Sequence, residues 1–172
     1  SKSKEELLNL LATPSSERHF IMYEALRKGA TVEEIFNLTK VKHYFIQQMK
    51  ELVEEEEALK ANAGHLPAPE ALRQAKLDGF SDKYLSQILS VPEEDIRNER
   101  KENHIVEAWE GVHVSSTQDS AYYFSSYHLP EDKSPVNHDR PKIMILGGGP
   151  NRIGQGIEFD YCCVHAAKAL KE

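Results

Sequence analysis

Gly29-Ala30-Thr31-Val32-Glu33-Glu34-Ile35-Phe36-Asn37-Leu38-Thr39-Lys40-Val41 and, fifty residues on, Gly79-Phe80-Ser81-Asp82-Lys83-Tyr84-Leu85-Ser86-Gln87-Ile88-Leu89-Ser90-Val91 carry the reading of this chain. Gly29, Thr31, Ile35, Leu38, Val41 and Ile46 match Gly79, Ser81, Leu85, Ile88, Val91 and Ile96 at one offset, which marks an internal repeat. Each copy spells a glycine helix stop, a Ser/Thr cap, a short helix, a turn and a second helix. Thr31 with Glu34 three residues later is a capping box, and Pro92 sits where the first turn of its helix begins.

Working outward, the helical pattern covers residues 1–104. Leu7, Leu8, Leu10 and Leu11 begin an apolar stripe, and Thr13-Pro14-Ser15-Ser16 reads as a turn and helix start. Phe20, Ile21, Tyr23, Ala25 and Leu26 are expected on one core face of a helix that stops at Gly29. Ile35, Phe36 and Leu38 form the core face of the next. After a break at Thr39-Lys40, a longer helix runs through Phe45, Ile46, Met49, Leu52 and Val53 into Glu54-Glu55-Glu56-Glu57. That acidic run reads as a solvated face or helix end, not a cation site. Ala63 to Pro69 is a loop by composition.

The repeated unit also has the outline of a helix-turn-helix, so DNA binding is the alternative to weigh. A recognition helix needs Arg, Lys, Asn or Gln at base edges and basic neighbours for phosphate. The first candidate offers Lys42, His43, Gln47, Gln48 and Lys50, then five glutamates between Glu51 and Glu57. The second opens on Glu93, Glu94 and Asp95, which would repel phosphate. A helical packing unit is the better reading.

From Ile105 to Arg140 the helical period fades. Trp109, Val112 and Val114 suggest an extended stretch. Ala121-Tyr122-Tyr123-Phe124 and Tyr127 form an aromatic cluster expected to pack against a neighbouring domain, and Pro130 to Pro141 reads as a polar linker. Then Lys142-Ile143-Met144-Ile145-Leu146 reads as a strand, Gly147 to Gly156 as a glycine-rich turn, and Ile157 to Glu172 as a helix with Cys162, Cys163, Ala166, Ala167 and Leu170 on its apolar side. Strand, glycine turn and helix open a Rossmann-like unit, where backbone amides attract anions. Pro150 breaks the GxGxxG spacing, and no Gly-Lys-Ser/Thr follows for a P-loop. Gly147, Gly148, Gly149, Asn151, Arg152, Gly154 and Gln155 are the candidate anion- or substrate-binding residues. A single strand and helix make no sheet, so its edges are expected to lack partners.

The 172 residues carry a formal net charge of -7, which argues against general nucleic-acid or anionic-membrane binding. No apolar run approaches the roughly 20 residues of a membrane helix, and no secretory leader opens the chain. The adjacent Cys162 and Cys163 read as buried thiols of a reducing cytosol, and the scattered histidines suggest no metal site. The chain opens on Ser1-Lys2-Ser3 and stops inside a helical pattern, which suggests a piece of a longer protein.

The run from Lys142 through Gly147-Gly148-Gly149-Pro150-Asn151-Arg152-Ile153-Gly154-Gln155-Gly156 to Ala166 closely resembles the start of the carbamoyl-phosphate-synthesising half of the carbamoyl phosphate synthase large subunit. Thr13 to Leu26, Thr31 to Phe45, Gly79 to Asp82 and Ala121 to Tyr127 resemble that subunit's central helical domain. Val112-His113-Val114-Ser115-Ser116 departs from the family's usual Cys-Ala-Ala-Glu-Phe and suggests a divergent branch. The resemblance implies a mainly α fold. Residues 1–140 would form an all-helical oligomerisation or connection domain, with an extended linker from about 105. Residues 141–172 would begin a pre-ATP-grasp subdomain. It implies a parent ligase of the cytoplasm, serving arginine and pyrimidine synthesis, that makes carbamoyl phosphate from bicarbonate, glutamine and two ATP with magnesium or manganese. The implied partners are flanking ATP-grasp domains, a small glutaminase subunit and further copies of the helical domain. The piece itself is expected to bind no cofactor and to be inactive.

Overall fold

The computed structural model describes residues 2–113, 122–133, 141–147 and 158–171. They fall into two units, residues 1–133 and 134–172. The chain is mainly α. In the first unit the order is α1 (Lys4–Leu11), α2 (Arg18–Arg27), α3 (Val32–Thr39), α4 (His43–Lys60), α5 (Pro69–Leu77), α6 (Asp82–Leu89), α7 (Glu93–Glu102), β1 (Ala108–Gly111) and β2 (Tyr123–Ser126). The second unit holds α8 (Glu158–Lys171).

The repeat is a three-helix unit: α5, α6 and α7 follow α2, α3 and α4 at the same offset of 50. Its corners are built alike. Gly29 (φ 85°) and Gly79 (φ 93°) take the left-handed conformation that glycine adopts without a Cβ penalty. Beyond each, a six-to-one hydrogen bond closes the helix: Ala30 N to Ala25 O and Phe80 N to Ala75 O, both 2.9 Å. Thr31 and Ser81 then cap α3 and α6 through Glu34 N and Tyr84 N. The Thr31–Glu34 capping box forms, and Ser3 with Glu6 makes another at α1. Both short helices end on a non-glycine left-handed residue, Lys40 (φ 57°) and Ser90 (φ 56°).

Each repeat has its own core. The first gathers Leu7, Leu11, Met22, Ala25, Leu26, Ala30, Ile35, Ile46 and Val53. The second gathers Leu59, Leu72, Ala75, Phe80, Leu85, Leu89, Ile96 and Ile105. α4 belongs to both. Its 18 residues, against 10 in α7, carry Val53 into the first core and Leu59 into the second. This shared helix is the spine that couples the repeats.

β1 and β2 pair antiparallel, with Ala108 opposite Ser126 and Gly111 opposite Tyr123. The hairpin straps the second repeat. Tyr127 lies over the Lys76 ammonium at 5.2 Å, and His128 Nε2 is 2.9 Å from the Leu77 carbonyl.

Several expectations need correction. Phe20 is 73% exposed, and Met22 takes its place in the core, because the α2 face that meets α4 runs through Met22, Ala25 and Leu26. Leu38 and Phe45 also stand outside, while Thr39 is buried with its hydroxyl bonded to the Ile35 carbonyl. The acidic run is not wholly solvated, since Glu56 is 1% exposed. Trp109 and Val112 are both exposed, whereas Ala108 is buried. The packing of the aromatic cluster against a neighbouring domain is not contradicted: Tyr122, Tyr123 and Phe124 are exposed, and Tyr127 is partly buried. Cys162 is exposed and Cys163 half-buried, and both are free thiols. Residues 142–146, expected as a strand, form none, since no described segment pairs with them. α8 matches the expected C-terminal helix.

Candidate assembly surface

α2 and α4 leave an open groove between them, a cavity of about 510 Å³ lined mainly by Met22, Tyr23, Val41, Phe45, Met49 and Leu52. Phe45 is 59% and Tyr44 67% exposed, and their rings meet edge to face at 5.4 Å. Exposed aromatic side chains beside a groove make this face the candidate interaction surface.

The repeat supplies an internal comparison. At the positions of Phe20, Tyr44, Phe45, Met49 and Leu52, the second repeat carries Glu70, Glu94, Asp95, Glu99 and Glu102. The backbone is shared, so the fold does not require apolar residues there. Scanning for core periodicity misses this, because Phe45 and Met49 fit a helical stripe as well as any core residue. Comparing the outward positions of the two repeats reveals it.

Two ionic networks sit inside the helical unit. Glu56 receives the Arg27 guanidinium at 2.7 Å, the Tyr23 hydroxyl at 2.6 Å and the Lys60 ammonium. Burial pushes the Glu56 carboxyl up, but hydrogen bonds from Lys60, Tyr23 and Tyr84 and the Arg27 charge outweigh it and hold the group below its ordinary value. Tyr84 comes from α6, so Glu56 ties the repeats together. In the second network Asp82 takes Lys76 Nζ at 2.9 Å and Arg100 Nη2 at 2.7 Å, and Lys76 also donates to the Phe80 carbonyl at 2.7 Å. Burial opposes the Asp82 charge too, and the two cations again hold its carboxyl low. Both clusters pair buried charges completely, which is structural wiring and leaves no poised acid or base. Glu55 differs. Burial first and Asp78 second push it up to about 7.

Of the expected anion-binding residues, Gly147 is described and lies exposed. A Cβ there would stand 2.6 Å from Cys163 Sγ on α8, so a larger residue would require the Cys163 thiol to turn aside. Gly148, Gly149, Asn151, Arg152, Gly154 and Gln155 lie outside the described residues. Among the described residues no group of three His, Cys, Asp or Glu could hold a metal ion. No helix there is long and apolar enough to cross a membrane.

Comparison with known proteins places both regions. Residues 1–104 match the family model for the carbamoyl-phosphate synthetase large chain oligomerisation domain, and residues 139–172 match the carbamoyl phosphate synthase preATP-grasp domain. The chain is 45% identical over 165 residues to a carbamoyl phosphate synthase large chain from Vibrio parahaemolyticus, covering 94% of this chain and 15% of that one. It is 42% identical over 165 residues to the large chain of Pseudomonas putida, with the same coverage. It is 42% identical over 175 residues to that of Neisseria meningitidis serogroup B, covering 100% of this chain and 16% of that one. The chain therefore spans about 15% of the length of the curated relatives it matches.

Proposed function

We propose, from the premise that this chain belongs to the carbamoyl phosphate synthase large-chain family, that it is the assembly and connecting module of such an enzyme. The observation that carries the reading is the exposed apolar groove on a helical unit whose two buried acids, Glu56 and Asp82, are each paired with cations. Such a unit supplies surfaces and spacing rather than chemistry. The parent ligase makes carbamoyl phosphate from bicarbonate, glutamine and two ATP in the cytosol. Its flanking ATP-grasp domains hold the nucleotides with magnesium or manganese, and a small glutaminase subunit delivers ammonia. The helical unit sets the relative position of the two ATP-using halves, which matters when an unstable intermediate passes between them. Residues 141–172 begin the second half, with Gly147, Gly148, Gly149, Asn151, Arg152, Gly154 and Gln155 as its candidate anion- or substrate-binding residues. The chain alone is inactive.

Light scattering of the chain across a concentration series tests the assembly role. Self-association that persists to low micromolar is expected. A monomer at every concentration would overturn it. In the full enzyme, Gly149→Val should damage carbamoyl phosphate formation more than glutamine hydrolysis, and equal loss of both would remove the turn from the substrate's neighbourhood.

A further inference from the structure

α4 is charged against its own dipole. A helix favours acids in its first turn and bases in its last. α4 has no acid in its first turn and is preceded by Lys40 and Lys42, whereas its second half carries Glu51, Glu54, Glu55, Glu56 and Glu57. α7, its counterpart, opens properly on Glu93, Glu94 and Asp95 and ends on Arg100 and Lys101. Within the fold Lys50 pairs with Glu54, and Arg27 and Lys60 pair with Glu56 and Glu57, which leaves exposed Glu51, together with Lys42 at the helix start, as the charges that the fold does not explain.

The conflict sits beside the apolar groove, and the groove is built on a heptad. Phe45, Gln48 and Leu52 follow one another along α4 at spacings of three and four, the seam of a helix that packs lengthwise on another, and Val41 extends the apolar row just ahead of the helix. Gln48 is the polar member of that seam, a position where a single amide fixes register. We propose that this face pairs with α4 of a second molecule of the same chain, antiparallel across a two-fold axis passing between Ile46 and Gln47. This rests on the assembly reading above and names its surface and partner.

The register follows from matching the seam to itself. In an antiparallel pair, residues whose numbers sum to a constant face each other. A sum of 93 sets Phe45 against Gln48 and Tyr44 against Met49, and it brings Val41, just ahead of the helix, towards Leu52. The same register sets Lys42 of one molecule against Glu51 of the other, twice over because the axis repeats every contact. The basic start of each helix then meets the acidic half of its mate, and the two macrodipoles oppose. Glu51 is exposed and held only by amides of its own helix, Gln47 at 3.2 Å and Gln48 at 2.9 Å, so it remains on the surface to accept a cation. The second repeat offers no comparable face. With Glu94 for Tyr44 and Glu99 for Met49, the same two-fold pairing of α7 would bring acid against acid. The contacting stretch of α4, from His43 to Leu52, is ~15 Å long. A seam of that length is at the low end of stable interfaces, so micromolar self-association is expected.

The test is light scattering of the whole chain with four variants. Phe45→Asp installs the residue that the second repeat already carries on an equally folded helix, so the fold should survive, and circular dichroism checks it. Its dissociation constant should rise at least about 30-fold. Lys42→Glu and Glu51→Lys should each weaken association by about 5- to 10-fold through paired repulsion, while the double swap in one chain should recover most of the loss. Recovery demands that the two positions meet across the interface, which a purely structural role cannot mimic. A wild-type chain that associates but ignores Phe45→Asp would overturn this surface and leave the assembly role standing. Failure of the double swap to recover would overturn the antiparallel register. A wild-type monomer would overturn the assembly role and this pairing together.

Discussion

Met22, Ala25, Ile35 and Ile46 fill the same places in the first repeat that Leu72, Ala75, Leu85 and Ile96 fill in the second, yet Tyr44 and Phe45 stand where the second has Glu94 and Asp95. Interior positions are held to shape because a void or an overfilled site costs free energy directly. Outward positions are free of that constraint, so the difference between the repeats there records use rather than folding. The buried charges differ as well. The first repeat centres on an acid, Glu56, whose cations Arg27 and Lys60 are only partly buried and have other acids in reach, Glu24 and Glu57. The second centres on Asp82, whose cations Lys76 and Arg100 are 7% and 12% exposed.

That contrast sets the largest expected effect. Asp82→Ala strands two buried cations and should cost about 3–5 kcal/mol in denaturant unfolding. Glu56→Ala leaves Arg27 and Lys60 with their other partners and should cost less, about 1–3 kcal/mol. Equal costs would erase the distinction between the two networks. Both acids sit below their ordinary values, so their contributions are complete at neutral pH and are lost as the pH falls through the lowered folded values, beneath about 4.

Glu55 sharpens the comparison with the opposite sign. Its carboxyl is raised to about 7 by burial and by Asp78 of the second repeat. Folding therefore favours the protonated form, and stability falls as the pH rises from about 4 to 7. Glu55→Gln should stabilise the chain at pH 8 by about 1 kcal/mol after solvent screening, and the gain should vanish at pH 4. A gain that is the same at both pH values would place the effect in packing instead of charge.

The smallest effect tests how alike the repeats are. Lys40 and Ser90 both hold the left-handed cap, so Lys40→Gly and Ser90→Gly should each stabilise by a few tenths of a kcal/mol to about 1 kcal/mol in thermal melts. Gains that differ sharply between the two would show that one cap carries a side-chain contact that outweighs its backbone strain.

The repeat, its glycine stops, its caps, the mainly α class and the C-terminal helix were legible from residues alone. These features depend on neighbours within four or five positions, which a sequence displays side by side. The family was legible for a related reason, since Lys142 to Ala166 is a long uninterrupted pattern. What stayed illegible depended on distance along the chain. Glu56 meets Arg27, 29 residues away, and Asp82 meets Arg100, 18 residues away. Nothing local to Glu54-Glu55-Glu56-Glu57 distinguishes the buried Glu56 and the half-buried Glu55 from the exposed Glu54 and Glu57. The same holds for Phe20, Phe45 and Met22: each fits a helical stripe, and only the angle at which α2 crosses α4 decided which face turned inward. Periodicity determined that there would be an apolar face. Packing between helices decided which part of it became core and which part remained a groove, because burial belongs to pairs of elements and not to either alone.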